Sequence, residues 1–153
     1  EGLRFETQIE TDSAPLHTMA ARLRDALGHD LRVLRDPTRG GVASALNELV
    51  DGQNAGILID EAELPIDDHV RGACEVLGPE PLYVANEGKL LAIVAPDRAD
   101  EAVSLLHELS LGARAALIGT VVDDHPGVVV QRSRIGGSRV IDMLTGDQLP
   151  RIC

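Results

Sequence analysis

The sequence predicts an α+β domain in which helices pack on a mixed β-sheet. Three observations lead there. Helical and strand periodicities alternate through the first two thirds of the chain, and strands dominate the remainder. The apolar content is 44% of 153 residues and almost wholly aliphatic, with Phe5 and Tyr83 the only aromatics. No internal repeat, low-complexity stretch or linker divides the chain, so one core is expected.

The elements follow in order. Leu3, Phe5, Thr7 and Ile9 alternate with polar residues and predict a half-buried strand. Asp12-Ser13-Ala14-Pro15 is expected to open a helix, with Asp12 or Ser13 as its cap and Pro15 in its first turn. Leu16, Met19, Ala20, Leu23 and Leu27 would be its apolar face and Gly28 its stop. Leu31 to Arg35 predicts a short strand, Val42 to Val50 a helix, and Gly56 to Asp60 a buried strand. A helix from Asp67 or Asp68 would turn Val70, Ala73, Cys74 and Leu77 inward and end at Gly78. Leu82 to Ala85 and Lys89 to Ala95 read as two strands of a hairpin joined by Asn86-Glu87-Gly88. Asp97 is expected to cap a helix with Ala102, Val103, Leu106 and Leu109 inside. Ala116 to Val122, Val128 to Arg132 and Arg139 to Asp142 complete the strands, the last two joined by a turn at Ile135 to Ser138.

Composition bounds the partners. A formal net charge of −11 and the lack of an aromatic platform argue against nucleic acid, whose binding rests on Lys and Arg contacts to phosphate and on base stacking. No apolar run approaches bilayer thickness, so no membrane span is expected. The two cysteines, Cys74 and Cys153, form no C-x-x-C pair, which points to a reducing, cytoplasmic setting. The five histidines share no metal-ligand spacing, and no metal site is expected. Cys74 falls on an apolar helix face and reads as a buried, inert thiol.

Three segments can carry chemistry. In the first, Asp36-Pro37-Thr38-Arg39-Gly40-Gly41, a strand ends, two glycines follow and a helix begins. Glycine backbone angles, the helix N-terminus, the Arg39 charge and the Thr38 hydroxyl together favour an anion such as phosphate. The plainer alternative is a strand-to-helix turn capped by Asp36 or Thr38. In the second, Asn86-Glu87-Gly88-Lys89, the Glu87 carboxylate sits where it can accept a proton, although Asn and Gly also belong in an ordinary turn. The third is the tail from Thr145 to Cys153, which has almost no periodicity. The seven residues after Gly146 reach about 23 Å at roughly 3.3 Å each, so a terminal thiol can visit two places. The alternative is a frayed terminus ending in Cys. Burial of Leu149 and Ile152 is worth roughly 1.5–3 kcal/mol each. Fixing a backbone costs about 1–2 kcal/mol per residue, so poor order is expected for Leu149 to Cys153.

The three segments, with Cys74-Glu75-Val76-Leu77-Gly78, Tyr83-Val84-Ala85 ahead of the Asn86 turn and the terminal Pro150-Arg151-Ile152-Cys153, resemble the HypE family of hydrogenase maturation proteins. That family lies in the superfamily of aminoimidazole ribonucleotide synthetases and selenophosphate synthetases, and the likeness runs in order from about Ser13 to the last residue. It implies an AIR synthetase-like C-terminal domain over residues 1–144 and a flexible tail over 145–153, with an N-terminal ATP-binding domain absent from this chain. It implies ATP-dependent dehydration of a carbamoylated C-terminal cysteine to a thiocyanate, the source of the cyanide ligand of nickel–iron hydrogenase. Cys153 would be the acceptor and Glu87 the base. Asp36, Thr38, Arg39, Gly40, Gly41 and Asn86 would surround the phosphate. ATP and Mg2+ would be required in the full-length protein, and the fragment alone would be inactive. The implied partners are the carbamoyltransferase HypF, the HypC–HypD complex and a second copy of the full-length chain. Two other readings are a selenophosphate synthetase-like enzyme and a noncatalytic docking domain. The P-R-I-C terminus argues against the first, and a covalent carbamoyl adduct on the tail would argue against the second.

Overall fold

A computed structural model describes residues 11–144. The strand expected at Leu3 to Ile9 and the tail from Thr145 lie outside the described residues. Among the described residues, four helices and six strands form in the order α1 (His17–Leu27), β1 (Leu31–Arg35), α2 (Gly41–Val50), β2 (Gly56–Asp60), α3 (Asp68–Leu77), β3 (Leu91–Val94), α4 (Ala99–His107), β4 (Gly119–Val122), β5 (Val129–Arg132) and β6 (Ser138–Ile141). The architecture is α+β, with the strands divided between two sheets.

The larger sheet has the order β4-β2-β5-β6 and is mixed: β2 runs parallel to β5, while the β2–β4 and β5–β6 pairs are antiparallel. In register, Val121, Ile57, Val129 and Ile141 form one row across it, and Ile57, Ile59, Val129 and Ile141 are buried. Strand alternation turns this row to one face, where Ile57, Val129 and Ile141 share a core with Ala43, Leu46 and Val50 of α2. Each fully buried aliphatic side chain here contributes about 1.5–3 kcal/mol. Helix α2 is buried on more than one face, since Gly41, Ala43, Ser44, Ala45, Leu46 and Val50 are all inaccessible.

The smaller sheet pairs β1 with β3 antiparallel, with an irregularity between Leu31 and Val33 that marks a bulge. Helices α1 and α4 supply Leu23, Leu27 and Ala102 to a second core closed by Leu31, Val94, Leu105 and Leu106. Helix α3 is thinly packed. Cys74 is its one buried residue, while Leu77, expected to face inward, is 54% exposed.

Three local expectations fail for physical reasons. Helix α1 begins at His17, with Leu16 at the cap position and no side-chain cap. Asp12 lies too far upstream, and its carboxylate takes the Glu87 N–H and the Lys89 ammonium instead. Leu82 to Ala85 is not a strand. Pro81 fixes the backbone angle of a helical first position, and Pro81–Tyr83 is a 3-10 turn closed by Tyr83 N–H to Glu80 O and Val84 N–H to Pro81 O. Strand β3 therefore pairs with the distant β1 and not with a hairpin neighbour. Asp97 does not cap α4, because Pro96 starts a 3-10 turn ahead of it and the cap position passes to Arg98, with Asp100 and Glu101 in the first turn. Gly28 and Gly78 end their helices as expected, at φ 52° and 91°.

Candidate functional site

The loop between β1 and α2 is built on its two glycines. Gly40 and Gly41 both have positive φ, 76° and 62°, a region that side chains with a Cβ avoid. The Gly41 N–H turns back to the Thr38 carbonyl at 3.0 Å and the Ser44 N–H to the Gly40 carbonyl at 3.1 Å, so the loop closes into the helix. No side chain caps α2: neither Asp36 nor Thr38 fills that place, and Gly40 occupies it. Pro37 and Gly40 are buried, Thr38 is half-buried, and Asp36 and Arg39 are exposed. An exposed guanidinium at an uncapped helix N-terminus leaves positive potential open to solvent.

The Asn86 segment reaches this loop through the backbone. The Asn86 N–H donates to the Pro37 carbonyl at 3.1 Å, and the Asn86 side chain donates to Val84 O at 2.7 Å. Just upstream, the turn at residues 82–84 lies on Gly41 so closely that an added Cβ would stand 2.5 Å from Leu82 O and 2.6 Å from Val84 O. Downstream, Asp12 crosses the turn. Its carboxylate accepts the Glu87 N–H and the Lys89 Nζ, both at 3.2 Å, and its backbone leaves Gly88 no space for a side chain. Glu87 itself is exposed.

The end of β6 arrives at the same place. Asn47 Nδ2 donates to Ile141 O and to Ala43 O, each at 2.9 Å, and the Tyr83 hydroxyl donates to Asp142 O at 3.0 Å. The Leu144 N–H reaches Ser44 Oγ at 3.4 Å, and the Leu144 Cβ is 3.5 Å from where a Gly40 Cβ would lie. Burial foremost, with the Glu80 and Asp142 carboxylates, pushes the Tyr83 phenol up, so it remains a donor. Burial likewise raises the Cys74 thiol, consistent with an inert core cysteine.

The structure thus joins Pro37, Gly40, Gly41 and Asn86 in one neighbourhood, holds Glu87 and Lys89 on its rim through Asp12, and leaves Asp36 and Arg39 exposed beside it. Cys153 lies outside the described residues. Sequence reasoning missed Asp12, Ser44, Asn47 and Tyr83 as parts of this neighbourhood. One signal was available for the helix pair: Ser44 and Asn47 are polar residues inside an otherwise apolar helical run, where such residues need a partner. Among the described residues no three His, Cys, Asp or Glu side chains converge as a metal site would require.

Comparison with known proteins supplies the relationship. A family described as AIR synthase related protein, C-terminal domain, matches residues 1–131. The chain is 50% identical to the carbamoyl dehydratase HypE of Rhizobium leguminosarum bv. viciae over its full length, which is 44% of that protein. It is similar to a crystal structure of the hydrogenase maturation protein HypE, with 42% identity and a TM-score of 0.91 over 99% of this chain and 49% of that one. A HypE crystal structure in complex with ATP matches at 41% identity and a TM-score of 0.89, over 99% of this chain and 46% of that one. HypE in a HypE–HypF complex matches at 40% identity and 0.85, over 92% and 45%. The chain therefore spans less than half the length of these relatives, and it belongs to the family of AIR synthase related protein C-terminal domains.

Proposed function

We propose that this chain is the C-terminal part of an ATP-dependent carbamoyl dehydratase that makes the cyanide ligand for nickel–iron hydrogenase, with Cys153 as the carrier. The relatives' names support the activity. The observation that carries the assignment of parts is the junction of the glycine loop, the Asn86 turn and the end of β6 at residues 40, 83, 86 and 144. The nine residues that follow Leu144 can extend to about 32 Å, at roughly 3.3–3.6 Å each, a span long enough for the Cys153 sulfur to reach the glycine loop.

The chemistry gives each part a role. A carbamoyl group on sulfur, placed there by the carbamoyltransferase HypF, has a carbonyl oxygen that leaves poorly. Transfer of the ATP γ-phosphoryl group to that oxygen converts it to phosphate, a good leaving group. Removal of both nitrogen protons and departure of phosphate give S–C≡N, so that one ATP becomes ADP and phosphate for each water formally removed. The loop from Asp36 to Gly41 receives the phosphate, with Arg39 and the start of α2 offsetting its charge. Glu87, exposed on the rim, is the base. Asn86 fixes the spacing between the two segments. Cyanide then passes to iron on the HypC–HypD complex, in the cytoplasm. Mg2+ would accompany ATP in the full-length, dimeric protein, held mainly by the nucleotide's phosphates with one or two protein carboxylates. Residues 1–144 would be the domain and 145–153 the arm that bears the thiol.

The test is Cys153→Ala in the full-length protein. Carbamoyl transfer and thiocyanate formation should both be lost while the circular dichroism spectrum and ATP binding persist. Undiminished cyanide-ligand formation by that variant overturns the assignment.

A further inference from the structure

We propose that Tyr83, with Asn47 and Ser44, is a positioning clamp that fixes the point from which the C-terminal segment leaves the domain, and so sets where the Cys153 sulfur meets the phosphoryl group. The proposal rests on Cys153 being the carrier.

Sheet pairing of β6 ends at Ile141. Beyond it the backbone is held by side chains. Within four residues, the Ile141 carbonyl is bound by Asn47, the Asp142 carbonyl by Tyr83 and the Leu144 N–H by Ser44. These three side chains come from two elements, α2 and the 3-10 turn, and the same two elements meet at Gly41. Whatever fixes the turn on the glycine loop therefore also fixes the departure point of the tail.

Tyr83 is itself braced. Its N–H closes the turn on Glu80 O, and the Glu80 carboxylate pairs with the Arg139 guanidinium. Arg139 Nε donates at 2.7 Å to Oε1 of Gln131, a buried polar residue on the neighbouring strand. The hydroxyl thus sits at the end of a chain of contacts running from inside the sheet. The Tyr83 hydroxyl is engaged with the Asp142 carbonyl, so the part assigned to it is positional. A tethered reactant depends on its attachment point. Loosening that point spreads the thiol over a larger volume and lowers its effective concentration at the phosphoryl group.

The experiment uses the full-length protein carrying Tyr83→Phe, which keeps the ring and removes the hydroxyl. Pre-carbamoylated enzyme is given ATP, and thiocyanate formation is followed in a single turnover. ATP affinity is measured by calorimetry, carbamoyl loading by HypF is timed, and deuterium uptake is read at residues 142–144. Loss of one neutral hydrogen bond is expected to slow dehydration roughly two- to ten-fold. ATP affinity and loading rate should be unchanged, and uptake at residues 142–144 should be faster. An unchanged dehydration rate overturns the proposal. So does an equal loss of ATP affinity, which would make Tyr83 part of the nucleotide site. If the unsubstituted protein forms no thiocyanate, the proposed function itself fails. The uptake measurement then still decides whether Tyr83 holds the departure point: unchanged uptake overturns the clamp, and faster uptake supports it.

Discussion

Replacing Gly41 with Ala should be among the most damaging single-methyl additions in this domain. Two costs add. Gly41 has φ 62°, and an L-residue there loses about 1–2 kcal/mol. The new Cβ would also stand 2.5 Å from Leu82 O, 2.6 Å from Val84 O and 2.9 Å from Tyr83 C, all backbone atoms that cannot rotate away. Forcing a methyl into such a contact costs about 1–3 kcal/mol. The expected loss is therefore about 2–5 kcal/mol. Gly52 is the control. Its φ is 66°, yet nothing lies within 4 Å of its Cβ position, so Gly52→Ala should cost only the backbone share of about 1–2 kcal/mol. Urea denaturation followed by far-ultraviolet circular dichroism compares the two. A larger loss for Gly41→Ala is expected at unchanged m-value. Equal losses would refute the tight seating of the 82–84 turn on α2, and with it the way the candidate site is assembled.

Arg39→Ala should weaken ATP use by the full-length protein while leaving thermal stability within about 0.5 kcal/mol, since the side chain is exposed. A collapse of stability with unchanged ATP turnover would make the loop purely structural. Asp60 should give a pH-dependent strand link. Its carboxylate, on β2, accepts from Arg132 on β5 at 2.5 Å and from the Ala62 N–H, and both hold its pKa below the ordinary value, the Arg132 bond first. A group depressed in the folded state stabilises fully above its unfolded pKa of about 3.9, and that contribution is lost as pH falls through the folded value. The stability gap between the unsubstituted chain and Asp60→Asn should therefore be constant at neutral pH and close on acidification. A gap independent of pH down to the acid transition would contradict it.

Much of the fold was legible because local signals coincide with long-range ones. Leu31 to Arg35 and Gly56 to Asp60 appear with the expected bounds, and α2, β5 and β6 shift by one residue at most at each end. Aliphatic periodicity marked these segments, and Gly28 and Gly78 marked the helix ends. The misreadings fall where two local signals compete. Leu82 to Ala85 has β-type side chains, but the Pro81 backbone angle and the docking on Gly41 favour a 3-10 turn. At Asp12, a capping preference loses to a lysine and a backbone N–H brought from residues 87 and 89. The glycine loop and the Asn86 turn were each visible in the sequence. Their union was not, because the Asn86 N–H to Pro37 carbonyl bond links backbone atoms 49 residues apart, which no side-chain pattern encodes.

The central claim is that the Cys153 sulfur carries a carbamoyl group which ATP converts to a thiocyanate. Mass spectrometry of the C-terminal peptide of the full-length protein tests this most directly, after incubation with HypF and a carbamoyl donor and then with or without ATP. The account predicts one carbamoyl group on Cys153 without ATP and, with ATP, the same peptide lighter by one water. Modification elsewhere than Cys153, or an adduct that keeps its water when ATP is consumed, would contradict it.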